Sequence, residues 1–237
     1  LSASIRKEVP PEDEREGQDR SQAAGIKGGA AQTRRLTMLL FLYTIEDGKT
    51  YIGAVHRMPT AIYFEEHDRS RRLRELGLDR PRLIEVVRAM VAARADTTDN
   101  NARSAPGYRA WDAGVCSLRQ QYCGDGWERE VLNGIETIRH PELRIRVTPV
   151  NADEGVCCRD SSPCNRAPKG PATGKVIDLN GQMELFPDDP KGRPAKHHDG
   201  YSFWQLLVYD DGNAVRAELS RPIEFDGSYF IAFSERI

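Results

Sequence analysis

The stretch FWQLLVYDDGNAVRAELS, residues 203–220, predicts a β-hairpin that decides the fold. Two strand-like runs flank the segment DDGN (210–213), whose Asp-Gly pair is typical of a tight hairpin turn. A third run, YFIAF (229–233), follows closely in the chain. We therefore predict three neighbouring strands in this part of the protein.

A similar pattern earlier in the chain predicts a second hairpin. The apolar run LTMLLFLYTI (36–45) precedes EDGKT (46–50), which again contains an Asp-Gly pair, and YIGAVH (51–56) is the predicted partner strand. Because the ends of a domain often lie close together, we expect the two hairpins to join one antiparallel sheet.

The residues between the hairpins favour helices. Gly77 is typical of the position just past a helix end, while Asp79 is a good N-cap with Pro81 in the following first turn. The apolar residues within 127–139 recur at helical spacing. The segment LRIRVTPV (143–150) then alternates between apolar and polar residues, as a half-buried strand does. Helices are predicted over residues 60–76, after Asp79, over 108–122 and over 127–139.

The expected fold class is α+β, with a helical middle and one long irregular loop. Residues 151–200 contain six prolines and six glycines, which indicates a linker or a functional loop. The predicted organisation is a disordered tail (1–35), an α+β domain (36–150), a flexible loop (151–200) and a hairpin region (201–237) that completes the same domain. Met38 is a candidate start.

Composition narrows the function classes. Hydrophobic residues make up 39 % of the chain, and the formal net charge of −2 gives no global case for nucleic-acid binding. No apolar run approaches the roughly 20 residues that span a bilayer, and no signal peptide is visible, so we expect a cytoplasmic protein without membrane contact. No cofactor is expected.

A cluster of apolar residues lies inside the predicted loop, at Gln182-Met183-Glu184-Leu185-Phe186. It resembles the bacterial sliding-clamp binding motif, whose pattern is Gln-Leu-(Asp or Ser)-Leu-Phe. Met183 and Glu184 depart from that pattern, the first by a volume-conserving substitution. The resemblance covers five residues, and it implies docking on the clamp through residues Gln182–Phe186.

A different reading of the same segment is a structural hairpin. Asn180-Gly181 is a strong two-residue turn signal, with VIDL and QMEL as possible flanking strands. Pairing across that turn would place Asp178 opposite Met183 and Ile177 opposite Glu184, so both faces would mix apolar with polar residues. This mixing disfavours the hairpin without excluding it.

Arginine is concentrated in the predicted helices. Residues 69–94 carry eight arginines against three acidic residues, a local charge of +5. Arginine suits phosphate oxygens, although a solvated helix face has the same composition. The candidate DNA contacts are Arg69, Arg71, Arg72, Arg74, Arg80, Arg82 and Arg88.

The segment LYTIEDGKTYIGAVHR (42–57) resembles the start of GIY-YIG nucleases, with Tyr43 and Tyr51 at the motif tyrosines. In that family the tyrosines and an arginine surround the scissile phosphate, which would make Arg57 the candidate arginine. No Gly precedes Tyr43, and Arg57 lies early for the family position. The alternative is a β-hairpin whose Tyr and Ile pack inward.

Cysteine and histidine give a weak metal signal. The five cysteines include Cys157, Cys158 and Cys164, which could form a zinc site together with His197. The spacing lacks the paired cysteines of ordinary zinc sites, so free thiols are the alternative.

These patterns together predict a non-enzymatic accessory protein of bacterial DNA metabolism, in replication, repair or a mobile element. Its expected partner is the sliding clamp, with DNA as a second partner. A GIY-YIG-like nuclease, which would be a metal-dependent enzyme, and a protein-interaction domain with no DNA role are the alternatives.

Overall fold

The computed structural model describes residues 40–44, 50–54, 60–185 and 199–237, and it divides into two compact units between His56 and Arg57. In the first unit, β1 (Leu40–Thr44) and β2 (Thr50–Ala54) form an antiparallel two-stranded sheet, which confirms the predicted hairpin. The expectation that this hairpin joins the C-terminal strands is wrong, because the two belong to separate sheets. In the second unit, the sheet edge beside the last strand of the chain is already paired with another segment, residues 61–62.

The second unit is one mixed sheet with four helices. Its seven strands lie in the order β3-β9-β8-β7-β6-β5-β4. The elements are β3 (Ala61–Ile62), α1 (Glu66–Glu75), α2 (Arg80–Ala95), α3 (Ala105–Tyr122), β4 (Glu128–Leu132), β5 (Ile135–His140), β6 (Ile145–Asn151), α4 (Pro171–Leu185), β7 (Ser202–Asp210), β8 (Val215–Phe225) and β9 (Phe230–Arg236).

The α+β class is confirmed, but the sheet is not purely antiparallel. Strand β6 pairs in parallel with β7, and β3 pairs in parallel with β9. A parallel pair needs a crossover that brings the chain back to the same end of the sheet. Between β6 and β7 this crossover contains α4, in a segment predicted to be a loop. None of the helices that the structure describes has both the length and the apolar character needed to cross a membrane.

The predicted hairpin at residues 203–220 forms the centre of this sheet. Strands β7 and β8 pair from Gln205↔Ser220 to Asp210↔Val215. All six residues from Phe203 to Val208 are buried. Trp204, Leu206 and Val208 pack with residues of α1 to α3, whereas Leu207 packs with Ile177 of α4, since successive strand residues point to opposite faces. Burial on both faces explains the continuous apolar run.

Two predicted helix boundaries agree with the structure, and one helix is shorter than expected. Asp79 caps α2, where its Oδ1 accepts a hydrogen bond of 3.0 Å from the amide of Arg82, and Gly77 follows α1 with a φ of 67°. Residues 61–62 form an edge strand before α1. The amide of Tyr63 donates to the carbonyl of Arg236 at 2.9 Å, which extends this edge pairing.

The helix predicted over residues 127–139 is wrong, because this segment is the hairpin of β4 and β5. Leu132 pairs with Ile135, which leaves Asn133 and Gly134 as a two-residue turn. Their φ values are 51° and 82°, as a type I′ turn requires at both positions. The turn signal therefore determines the local structure despite the helical spacing of the apolar residues.

The prediction of a flexible loop over residues 151–200 is also wrong in its first part. Residues 152–170 are irregular but pack on the sheet, with Val156 and Asn165 buried. The side-chain amide of Asn165 makes backbone hydrogen bonds here of the kind that a neighbouring strand would make. Its Nδ2 donates to the carbonyls of Ala167 and Ser228, and its Oδ1 accepts from the amide of Phe230. Helix α4 then begins at Pro171.

Helix α4 also excludes the alternative hairpin over residues 176–186, because Asn180 and Gly181 are helical. A Cβ added to Gly181 would lie 2.9 Å from the carbonyl oxygen of Ile223, and one added to Gly174 would lie 2.9 Å from Phe225. The two glycines are seven residues apart, about two turns, so they lie on the same side of the helix. They allow α4 to approach β8 closely.

Candidate functional site

The clamp-like peptide lies at the end of α4. Residues Gln182–Leu185 form the last turn of this helix, and Phe186 lies outside the described residues. The prediction that these four positions belong to a flexible loop is therefore wrong. The physical reason is that Asn180 and Gly181 hold α4 on the sheet, and the helical backbone continues from them into the motif.

The anchor of α4 is the buried side chain of Asn180. Its Nδ2 donates to the carbonyl of Phe203 at 2.7 Å and to that of Pro222 at 2.9 Å. Its Oδ1 accepts from the amide of Phe203 at 2.9 Å. One amide therefore bonds to both central strands, two residues before the motif begins.

The candidate DNA-contacting arginines take part mostly in local ion pairs. Arg71, Arg74, Arg80 and Arg88 are exposed, and Arg69, Arg72 and Arg82 are partly buried. The observed partners are Glu66 for Arg69 and Arg80, Asp68 for Arg71, Glu75 and Glu235 for Arg72, Asp79 and Asp125 for Arg82, Glu85 for Arg88, and the Ser70 carbonyl for Arg74. Exposed pairs of this kind contribute little to stability, so their arginines remain open to a phosphate partner.

Three of these arginines line an apolar groove between α2 and the sheet, with a volume of about 610 Å³. Arg69, Arg80 and Arg88 contribute its cationic lining. The apolar lining comes from Leu73, Leu83, Ile84, Val87, Val91, Leu206, Val215, Leu219 and Ile237.

A buried ion pair lies beside the same groove and was not predicted from the sequence. Glu218 accepts two hydrogen bonds of 2.8 Å from Arg236, and it also accepts from Ser220 Oγ and from the amide of Cys157. Arg236 in turn donates to the carbonyls of Ser161 and Gly155. The network joins β8, β9 and the irregular segment 152–170. Both charged side chains are engaged in several hydrogen bonds, which indicates a structural role.

The cysteines do not form the predicted zinc site among the residues that the structure describes. No group of three His, Cys, Asp or Glu residues there could hold a metal, and His197 lies outside the described residues. Desolvation raises the pKa of the Cys157 thiol, as does the carboxylate of Glu218. Desolvation also raises the pKa of Cys164. Both thiols therefore resist the deprotonation that metal binding requires.

The two nuclease-like tyrosines lie in the first unit. Tyr43 and Tyr51 are directly opposite each other in the register of β1 and β2. Arg57 lies outside the described residues. The nuclease interpretation stays a prediction.

A small cleft was missed entirely because its residues are far apart in sequence. It has a volume of about 160 Å³ and includes Lys169, Thr173 and Gln205. Burial lowers the pKa of the Lys169 ammonium below its usual range. Gln205 is 1 % exposed, and its Oε1 has no hydrogen-bond donor in the described structure.

Comparison of the chain with protein-family models, with curated proteins and with solved structures finds no match. The functional assignment therefore rests on the residues of the chain itself.

Proposed function

We propose that this protein is a non-enzymatic accessory factor of bacterial DNA metabolism that docks on the sliding clamp through Gln182–Phe186. The observation that carries the proposal is the match of Gln182, Leu185 and Phe186 to the docking motif. The place of the motif supports it, because Gln182–Leu185 form the C-terminal turn of α4.

Docking in an extended form requires the last turn of α4 to open. Helix ends fray readily, and Gly181 at the start of this turn has the low helix propensity of glycine, about 1 kcal/mol below alanine. Opening from Gln182 onward leaves the Asn180 anchor intact. The body of the protein can therefore stay folded while the peptide binds.

The energetic terms favour moderate affinity. Burial of Leu185 and of Phe186 in an apolar pocket would contribute about 1.5–3 kcal/mol each. Gln182 would add directional hydrogen bonds. Ordering the peptide on binding offsets part of this gain. We therefore expect weak docking, with a dissociation constant in the micromolar range, as is usual for short segments that order on binding.

The arginines of α1 and α2 give the proposal its second partner. A protein held on the clamp lies next to DNA, and exposed arginines such as Arg71, Arg80 and Arg88 can exchange a weak local carboxylate partner for a phosphate. The chain as a whole is slightly acidic, so DNA contact would follow clamp docking rather than replace it.

The first prediction tests the peptide by substitution. The full chain should bind a purified bacterial sliding clamp at micromolar concentration in isothermal titration calorimetry. The variant Gln182→Ala/Leu185→Ala/Phe186→Ala should lose at least tenfold in affinity, because it removes both apolar anchors and the amide.

The matched control is Lys175→Ala/Asp178→Ala, which changes two exposed positions of the same helix. This control should bind within about twofold of the parent, since surface changes of this kind have small effects. A triple variant that keeps both its fold and its clamp affinity would refute docking through the pentapeptide.

A further inference from the structure

The cleft around Lys169 lies where five parts of the second unit meet. Trp111 comes from α3, Ile135 from β5, Pro149 from β6 and Phe203 from β7, while Lys169 and Thr173 come from the start of α4 and the residues before it. Its walls are mainly apolar, and it is partly open to solvent. A small molecule can therefore reach it from solvent.

Lys169 is the cationic residue among those that line this cleft. Its backbone amide donates to the carbonyl of Ser228 at 2.9 Å, which fixes the position of the residue. Its ammonium forms no ion pair with any residue that the structure describes. A desolvated ammonium without a counter-charge is unfavourable, so an anion beside it would be stabilised.

The other ionisable residue that lines the cleft is already neutralised. Glu136 belongs to β5, and its Oε2 accepts a hydrogen bond from Arg119 of α3. Arg119 and Glu136 cancel each other's charge locally. The remaining charge of the cleft is therefore that of Lys169.

Gln205 supplies a second polar group of the cleft that lacks a partner among the described residues. It lies in the central strand β7, where its side chain is almost completely buried and its Oε1 has no donor among the described residues. A buried polar atom without a partner costs free energy that a ligand hydroxyl could recover. Thr173 is also buried and lines the same cleft.

From these features we propose that the cleft binds a small 2-hydroxycarboxylate with an apolar side chain. The carboxylate pairs with the Lys169 ammonium, and the hydroxyl donates to Gln205 Oε1. The apolar body packs against Trp111 and Phe203. A neutral molecule would leave the Lys169 ammonium without a counter-charge. A carboxylate without the hydroxyl would leave Gln205 Oε1 without a hydrogen-bond donor. This site is independent of clamp docking.

The test uses the full chain and 2-hydroxyisovalerate as the probe, titrated by calorimetry and by amide chemical shifts. We expect millimolar or tighter binding, with the largest shifts at Phe203 and Gln205. The neutral amide, 2-hydroxyisovaleramide, should bind at least tenfold more weakly. Isovalerate, which lacks the hydroxyl, should bind about fivefold more weakly than the probe.

Two variants assign the contacts. Lys169→Met keeps the length of the side chain and should lose at least tenfold in affinity for 2-hydroxyisovalerate. Gln205→Met should remove the preference for the probe over isovalerate while both still bind. Absence of shifts at Phe203 and Gln205 in the parent chain would overturn the proposal even if a variant fails to fold, and equal binding of acid and amide would overturn it as well.

Discussion

Replacing Glu218 with Gln is expected to lower the free energy of unfolding by about 3–5 kcal/mol, the usual cost of removing one member of a buried ion pair. Glu218 and Arg236 are 5 % and 4 % exposed, so water cannot solvate the arginine charge that the substitution leaves unpaired. The substitution leaves the guanidinium of Arg236 buried with only neutral acceptors, which are the carbonyls of Ser161 and Gly155 and one amide oxygen at position 218. Urea unfolding followed by circular dichroism measures the difference.

Two comparisons separate the buried charge from a general effect. Glu85→Gln removes one member of the exposed pair with Arg88 and should change stability by less than about 1 kcal/mol. The double variant Glu218→Met/Arg236→Met should recover much of the loss, because apolar residues of similar size often replace a buried pair without net cost. If Glu218→Gln is as stable as Glu85→Gln, the buried network does not hold the segment 152–170.

Replacing Asn180 with Ala is the second large effect, with an expected loss of at least about 3 kcal/mol. The change removes three hydrogen bonds and leaves the amide and carbonyl of Phe203 and the carbonyl of Pro222 without their partner. Each buried group left unpaired costs about 1–3 kcal/mol. Thermal unfolding measures the loss, and faster hydrogen exchange at the Phe203 amide would locate it.

The control for this prediction is Asp178→Ala, two residues earlier in α4 and exposed. It should change stability by less than about 0.5 kcal/mol. The proposed function adds a second expectation, since clamp affinity of the Asn180 variant should persist under conditions where it remains folded. Equal stability of the Asn180 and Asp178 variants would contradict the anchoring role of this amide.

The dipeptide Asn-Gly shows how far local sequence determines this fold. At Asn133-Gly134 it forms a tight turn with positive φ at both residues, where the apolar spacing alone indicated a helix. At Asn180-Gly181 it lies inside α4. There the asparagine bonds to two strands and the glycine allows close approach to Ile223. These tertiary contacts override the turn preference, and no local pattern reveals them.

The functional and structural residues also differ in whether local sequence reveals them. Asp79 and Gly77 mark helix ends through local chemistry, so both were predictable from the sequence. Lys169 and Gln205 share a cleft only because the parallel crossover through α4 returns the chain to the sheet centre. Long-range pairings of this kind leave no periodic signal in the sequence, and the ion pair of Glu218 with Arg236 was missed for the same reason.

Hydrogen exchange of the full chain with and without a bacterial sliding clamp tests the docking proposal most directly. We expect the amides of residues 182–186 to exchange faster than those of residues 176–181 in the free protein. Clamp binding should slow exchange at 182–186 and change it little at 176–181. Unchanged exchange at 182–186 with saturating clamp, or protection confined to another part of the chain, would contradict docking through this peptide.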